Sequence, residues 1–136
     1  MKRSLWLSIA LTGLLLPACI SIKGSVVATS PTQDHSLLRH VVLFKFKEGT
    51  SPEQIATIEN AFRQLPAKIA EIRDFEWGTD VNAQSRAEGF THCFLLTFHD
   101  VESMEAYRAH QAHQDFVAMA RPFLEKIWVI DYWPKE

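Results

Sequence analysis

Residues 38–47 read LRHVVLFKFK. Successive side chains of a β-strand point to opposite faces of its sheet. One face of this run then carries His40, Val42, Phe44 and Phe46, and the other carries Val41, Leu43 and Lys45. Because both faces are mainly apolar, the run predicts a strand that is covered on both sides.

The residues after this strand change between helical and strand-like spacing. Ser51-Pro52-Glu53-Gln54 is a capping box with proline at the first helical position, and it predicts a helix that ends or bends at Pro66. The later segments predict a strand at 72–77, a strand at 91–98, a helix at 104–109, a helical piece at 114–124 and a strand at 127–132. The order β-α-β-β-α-β is typical of the α+β, ferredoxin-like fold, an antiparallel sheet with its helices on one side.

The two faces of the predicted sheet differ in their apolar side chains. The richer face, expected to pack on the helices, carries Val42, Phe44, Phe46, Phe94, Leu96 and Phe98. The poorer face carries Val41, Leu43, Cys93 and Leu95. A second copy of the sheet is the simplest cover for this face, so the sequence predicts a homodimer.

The first residues have the pattern of an export signal. Lys2 and Arg3 precede an apolar run of about a dozen residues, which is too short for a membrane span of about 20 and suits a signal peptide. The run ends in LPAC, residues 16–19, which resembles the cleavage box of bacterial lipoproteins. We expect residues 1–18 to be a signal peptide and Cys19 to be lipidated. The alternative is a plain secretory signal cleaved just before Cys19.

The residues after Cys19 bear on location and domain organisation. Ile20 is not the aspartate that favours retention in the inner membrane, so we expect secretion across the bacterial inner membrane and anchoring in the outer one. Residues 19–37 are polar and aperiodic, which predicts a flexible tether before a folded domain at 38–134. If Cys19 is lipidated, the second cysteine, Cys93, has no intramolecular disulfide partner.

Length and charge exclude some classes of protein. The chain has 136 residues, which fits one domain with a short appendage. Fourteen Lys and Arg against sixteen Asp and Glu give a net charge of −2, so charge gives no basis for nucleic-acid binding. The sequence contains no glycine-rich phosphate loop and no serine nucleophile elbow.

Four short segments together resemble the stress-responsive A/B barrel (Dabb) family. They are RHVVLFKFK at 39–47, WG at 77–78, GFTH at 89–92 and HQAH at 110–113. The similarity extends over about residues 38–134. It implies a dimeric α/β barrel in which two sheets face each other and the helices lie outside.

Within this family the chain is similar to a plant enzyme that closes a linear polyketide by aldol condensation without a cofactor. The resemblance implies that His113 is the base, that Tyr107 supports it, and that His40 and His92 line the site. We assign His110, which lies in the same motif as His113, to substrate binding too. Histidine titrates near neutral pH, and a phenol can donate to a developing oxyanion, so these residue types suit proton abstraction beside a carbonyl.

Spacing sets two conditions on this site. Tyr107 and His113 are six positions apart, about 240° around an ideal helix, so they converge only if the helix breaks between them. If the first and third strands are antiparallel neighbours, His40 and His92 start at opposite ends, well over about 10 Å apart. That distance argues against a shared metal, and the two nitrogens of His110 and His113 do not make a tetrahedral zinc site.

Two functions follow from these patterns. One is a lipid-anchored module that binds a small apolar carbonyl compound, without catalysis or with an unknown activity. The other is a cofactor-free, aldol cyclase-like enzyme with His113 as base and Tyr107 as oxyanion donor. A secreted lipoprotein has no obvious access to acyl-CoA thioesters, which counts against polyketide cyclisation itself, whereas the His and Tyr set counts against an empty scaffold.

Replacing Cys19 with serine tests the anchor. We expect the wild-type chain, expressed in a bacterium, to incorporate radioactive fatty acid, and the Cys19→Ser variant to lose the label because a hydroxyl does not replace the lipidated thiol. A Cys93→Ser variant is the matched control and keeps the label. Equal labelling of the Cys19→Ser variant contradicts lipidation.

Overall fold

The computed structural model describes residues 36–82 and 86–135. Its strands and helices are, in chain order, β1 (Leu38–Phe46), α1 (Pro52–Arg63), β2 (Asp74–Thr79), β3 (His92–Phe98), α2 (Val101–Ala109), α3 (Gln111–Ala120) and β4 (Leu124–Tyr132). Short 3-10 turns follow α1 at Leu65–Ala67 and α3 at Arg121–Phe123. The order confirms the ferredoxin-like fold, with the second helical segment divided in two.

The four strands form one antiparallel sheet in the order β2-β3-β1-β4. The central pair, β1 and β3, sets Val42 opposite Phe94 and His40 opposite Leu96. On its other edge β1 pairs with β4, which sets His40 opposite Asp131. β4 is therefore an edge strand, and its Asp131 side chain lies on the same face of the sheet as His40.

Local signals explain where the helices begin and end. The Ser51 hydroxyl accepts from the Gln54 N–H, and the Gln54 side chain accepts from the Ser51 N–H, so both ends of the capping box are formed. The Asp100 carboxylate caps α2 by accepting from the Ser103 N–H at 2.8 Å. α2 ends because His110 takes an extended conformation (φ −66°, ψ 135°), from which α3 starts afresh.

Several element bounds differ from the pattern-based prediction. β2 begins two residues late, at Asp74, and continues through Gly78, which pairs with Cys93 instead of ending the strand. α3 begins at Gln111, because His110 supplies a new cap. β4 begins at Leu124, since the charged residues that follow lie exposed on an edge strand, where polar side chains are tolerated.

All three helices pack on the richer face of the sheet. Phe62 of α1 stacks on Phe94 of β3 with ring centroids 4.1 Å apart, and it lies 4.7 Å from Phe116 of α3. Close ring packing of this kind adds to the free energy gained by burial, which is about 25 cal/mol per Å² of apolar surface. The α2 residues Met104 and Tyr107 complete the same core.

The opposite face of the sheet, called the open face below, is covered only in part within the described chain, where Phe90 packs against Trp128 with ring centroids 5.8 Å apart. Trp128 and Ile130 of β4 are 55% and 47% exposed, and they lie opposite Leu43 and Val41 of β1. Leu95 continues the apolar surface on β3, opposite Val41. A contiguous apolar face of this kind typically marks a contact surface.

The expectations for the N-terminus lie outside the described residues. The signal peptide at 1–18, Cys19 and residues 19–35 of the tether all precede the described part of the chain. Within residues 36–82 and 86–135, no helix is long and apolar enough to cross a membrane.

Candidate active site

A cavity of about 410 Å³ lies between the sheet and the helices. Its wall is mainly apolar, with Phe44 and Val129 on the strands and Phe62, Phe116 and Val117 on the helices. The polar or charged residues that line it are His40, Tyr107, Arg108, His113 and Arg121. A mainly apolar hollow with a few polar groups is the usual form of a small-molecule site.

Tyr107 and His113 meet in this cavity. Their ring centroids are 4.3 Å apart. Tyr107 lies at the end of α2 and His113 at the start of α3, so the extended residue His110 between the helices is what brings the two rings together. The helix break that the spacing requires is therefore present.

The hydrogen bond of His113 selects its tautomer. Its Nδ1 lies 3.1 Å from the carbonyl oxygen of Arg108. A carbonyl only accepts, so Nδ1 carries the proton and, in the neutral ring, Nε2 carries the lone pair. Burial lowers the pKa of His113 below its ordinary value and outweighs the raising effect of the hydrogen bond to the Arg108 carbonyl. The nearby charges of His40 and Arg108 lower this pKa further. The imidazole is thus neutral near pH 7 and can accept a proton at Nε2.

Tyr107 is a protonated donor in the same wall. The side chain is 1% exposed and packs against Phe98, with ring centroids 5.1 Å apart and the rings tilted by 45°. Burial raises the pKa of its phenol far above the ordinary value, and the opposing charge of Arg108 is too weak to cancel this. The hydroxyl therefore keeps its proton at any physiological pH and can donate it in a hydrogen bond.

His40 belongs to a chain of charged groups at one end of the cavity. Its Nδ1 lies 2.5 Å from one carboxylate oxygen of Asp131, and the other oxygen accepts from Arg108 at 2.9 Å. The His40 ring lies 5.8 Å from that of Tyr107. Burial lowers the pKa of His40 and outweighs the raising effect of Asp131. The carboxylate orients the ring with Nδ1 as the donor, which leaves Nε2 as the acceptor in the neutral form.

His92 does not lie with these residues. In the β1–β3 register it pairs with Phe44, four positions from the pair of His40, which corresponds to about 13 Å along the strands. Its Nε2 bonds to Glu59 of α1 at 2.9 Å, and its Nδ1 bonds to the Thr91 hydroxyl at 2.8 Å. His92 thus joins β3 to α1 and does not line the cavity.

His110 does not line the cavity either. Its Nδ1 accepts from the Ala112 N–H at 3.1 Å, so the imidazole caps α3. The described residues contain no group of three or more His, Cys, Asp or Glu side chains arranged to hold a metal ion.

Asp131 is a site residue that the sequence analysis did not single out. It follows Ile127 and Val129 at strand spacing, on the face of β4 that borders the cavity. A carboxylate on an otherwise apolar strand face was the available signal, but its partner His40 is 91 positions away. Only the β1–β4 register brings the two together.

Residues 38–134 match the family model described as the Stress responsive A/B Barrel Domain. The chain belongs to this family. It is 38% identical over 97 residues to the stress-response A/B barrel domain-containing protein HS1 of Arabidopsis thaliana. This alignment covers 71% of this chain and 89% of HS1. The chain is 32% identical over 99 residues to olivetolic acid cyclase of Cannabis sativa, which covers 73% of this chain and 98% of the cyclase.

Solved structures agree with the A/B barrel assignment. Hydroxynitrile lyase from Passiflora edulis superposes with a TM-score of 0.70 at 30% identity, over 76% of this chain and 97% of the lyase. A dimeric ferredoxin-like protein from Thermobifida fusca superposes with a TM-score of 0.64 at 21% identity, over 72% of this chain and 91% of that one. The second likeness establishes the fold alone.

Acidification tests the neutral state of His113. A histidine whose pKa is lowered by folding binds fewer protons in the folded chain than in the unfolded chain below about pH 6.5. The free energy of unfolding therefore decreases as pH falls below that value. We expect the free energy of unfolding in urea, at one fixed protein concentration, to fall from pH 7.5 to pH 5, and to fall less steeply in His113→Asn.

The matched control is His99→Asn, since the side chain of His99 is 71% exposed. This variant should follow the wild-type pH dependence. The Asp100 carboxylate lies 3.1 Å from His99 Nδ1. It does not confound the comparison, because its low pKa of about 2 places its own titration below the pH range measured. Parallel losses in wild type and His113→Asn contradict a lowered pKa at His113.

Proposed function

We propose that the cavity binds a small apolar carbonyl compound and that His113 and Tyr107 act on it as general base and oxyanion donor, without a cofactor. One observation carries this proposal. The ring of His113, with Nδ1 held by the Arg108 carbonyl, lies 4.3 Å from the ring of Tyr107 in an apolar hollow. A neutral base and a protonated donor beside each other are what enolisation of a ketone requires.

The proton transfer follows from this pair. His113 Nε2 takes a proton from the carbon next to the carbonyl, and the electron pair of the broken C–H bond forms an enolate. The Tyr107 hydroxyl donates to the enolate oxygen as its charge develops. If the enolate carbon attacks a second carbonyl, a C–C bond forms, and the resulting alkoxide takes the proton back from the His113 imidazolium. Atoms and charge balance without any other reactant.

His40 and Asp131 support the polar end of the ligand. With Nδ1 donating to Asp131, the Nε2 of His40 accepts a hydrogen bond, which suits a hydroxyl or enol group of the bound compound. Arg108 holds the second oxygen of Asp131, so the carboxylate keeps its orientation. Because His92 and His110 make structural contacts elsewhere, we give them no part in this proposal.

The comparisons favour catalysis over binding alone. Olivetolic acid cyclase and the Passiflora hydroxynitrile lyase are both named as enzymes, and each matches this chain over at least 97% of its own length. Neither name fixes a substrate for this chain, since one fold supports many activities. Binding without turnover is the alternative function, and measuring turnover and binding separately distinguishes it from catalysis.

We infer that two copies of the chain pack through the open face of the sheet. The face presents Trp128 and Ile130 half exposed, with Leu43 and Val41 beside them. The related fold from Thermobifida fusca is described as dimeric. Two facing sheets bury these side chains in the arrangement that the family resemblance implies, and they leave the cavity on the helix side of each copy.

Export and lipidation of Cys19 belong to the same proposal. An anchored domain outside the inner membrane meets apolar compounds that cross or leave the envelope, and it does not meet cytoplasmic thioesters. The carbonyl compound is then more simply a free ketone or β-keto compound than a coenzyme A ester.

Two variants test the catalytic assignment. We expect His113→Ala to lower turnover of a β-keto substrate by about 10²- to 10⁴-fold, because it removes the base. Tyr107→Phe should lower turnover about 10-fold or more while retaining the ring. Turnover is followed by product formation, and ligand binding is followed separately by calorimetry.

His99→Ala serves as the control for the activity measurement, because its imidazole is exposed and outside the cavity. It should keep wild-type turnover. If wild type and all variants bind the ligand but wild type shows no turnover, the enzymatic proposal is wrong and the binding function stands. Unchanged turnover in His113→Ala removes the role of His113.

A charge on the open face tests the dimer. Ile130→Glu should shift the protein from dimer to monomer in analytical ultracentrifugation, because each interface would then bury two unpaired carboxylates. Val101→Glu is the matched control, since Val101 is 49% exposed and lies on α2 away from this face. A wild-type chain that stays monomeric at high concentration contradicts the proposed interface.

A further inference from the structure

A second hollow adjoins the cavity. This second hollow has a volume of about 660 Å³ and shares Arg121, Leu124 and Ile127 with the first. Its wall also includes Lys47 and Pro122. The Lys47 ammonium donates to the Pro122 carbonyl at 2.6 Å, so a cation is held beside Arg121 and retains two further N–H donors.

Arg121 differs from the other arginine in the cavity. Arg108 is already paired with Glu105 and Asp131, both at 2.9 Å. Among residues 36–82 and 86–135, no carboxylate lies within ion-pairing distance of Arg121. Arg121 is also exposed, so its guanidinium is available to an anion from outside the protein.

Glu125 and Lys126, which also line the second hollow, already interact with other residues. Glu125, which borders the second hollow, is bound by Lys45 at 3.0 Å. The Lys126 ammonium lies over the ring of Phe90, 6.0 Å from its centroid. Lys47 and Arg121 therefore give this mouth a local positive charge on a chain whose net charge is −2.

One helix face connects the mouth to the reactive pair. His113, Phe116, Val117, Ala120 and Arg121 follow one another at helical spacing, and all five line the first cavity. His113 and Arg121 are eight residues apart, which corresponds to about 12 Å along the helix axis. Between them the wall is apolar.

We propose that the ligand is an amphiphilic carbonyl compound whose carbonyl lies at Tyr107 and His113 and whose carboxylate or phosphate binds Arg121 and Lys47. The span between these two groups should be comparable to the roughly 12 Å that separates the helix positions of His113 and Arg121. This inference rests on the proposed function, because it uses the same cavity, and it adds the class of ligand. The apolar stretch between the two ends accepts an unbranched or aromatic chain. A neutral ketone of the same length then binds through the apolar wall alone.

A set of matched ligands tests the proposal by isothermal titration of the purified protein. The probes are a straight-chain keto acid with carbonyl and carboxylate about 12 Å apart when extended, its methyl ester, and the corresponding keto alkyl phosphate. We expect the acid or the phosphate to bind at least about fivefold more tightly than the ester, with an advantage that shrinks as salt is raised. Comparing the affinities of the keto acid and the keto alkyl phosphate shows whether the site prefers a carboxylate or a phosphate.

Three variants test whether Arg121 and Lys47 cause the tighter binding of the acid or phosphate relative to the ester. Arg121→Gln and Lys47→Gln should each remove most of it and leave the affinity of the ester unchanged. Arg73→Gln is the matched control, because Arg73 is exposed and lines neither hollow, and it should bind all three probes like wild type.

The outcomes separate this inference from the proposed function. If the ester binds and neither the acid nor the phosphate binds more tightly, the proposed anion-binding mouth is wrong, while the proposed apolar carbonyl site stands. An equal loss of ester and acid in Arg121→Gln also overturns it, because the arginine then acts through its apolar stem alone. If no probe binds wild type, both the inference and the cavity assignment are wrong.

Discussion

Strand β1 is hydrogen-bonded along both edges and carries apolar side chains on both faces, and the other elements are arranged around this constraint. One face is covered by the helices, with Val42 and Phe44 in the core. The same face carries His40, so the strand that organises the core also delivers an imidazole to the cavity. The other face, with Val41 and Leu43, is only partly covered within the described chain, and its exposed Trp128 and Ile130 favour contact with a second copy.

The cavity depends on a second constraint, the interruption between α2 and α3. A continuous helix would set Tyr107 and His113 about 240° apart, and their side chains would face different surroundings. His110 ends one helix with its backbone and caps the next with its ring. The residue assigned to substrate binding from the sequence therefore has a geometric role, since it positions the two side chains that we propose act on the ligand.

Local patterns predicted the fold better than they predicted the site. Alternation in β1 and β3 and the capping box at Ser51 depend on near neighbours in the chain, and each led to the observed element. The predicted end of β2 at residue 77 was wrong, because a glycine such as Gly78 can pair in the ladder, and the strand continues to Thr79. Asp131 could not be paired with His40 beforehand, because that contact depends on a strand register across 91 residues.

The position of β4 at the edge of the sheet has a consequence for solubility. Four successive large apolar residues, 127–130, lie on a nine-residue edge strand whose outer backbone groups face no other described strand. Such an edge is a template for intermolecular strand addition and aggregation. Lys126 and Asp131 flank the run as gatekeeper charges. Asp131 thus serves two purposes, and a mutant that loses it would disturb His40 and weaken the protection of this edge together.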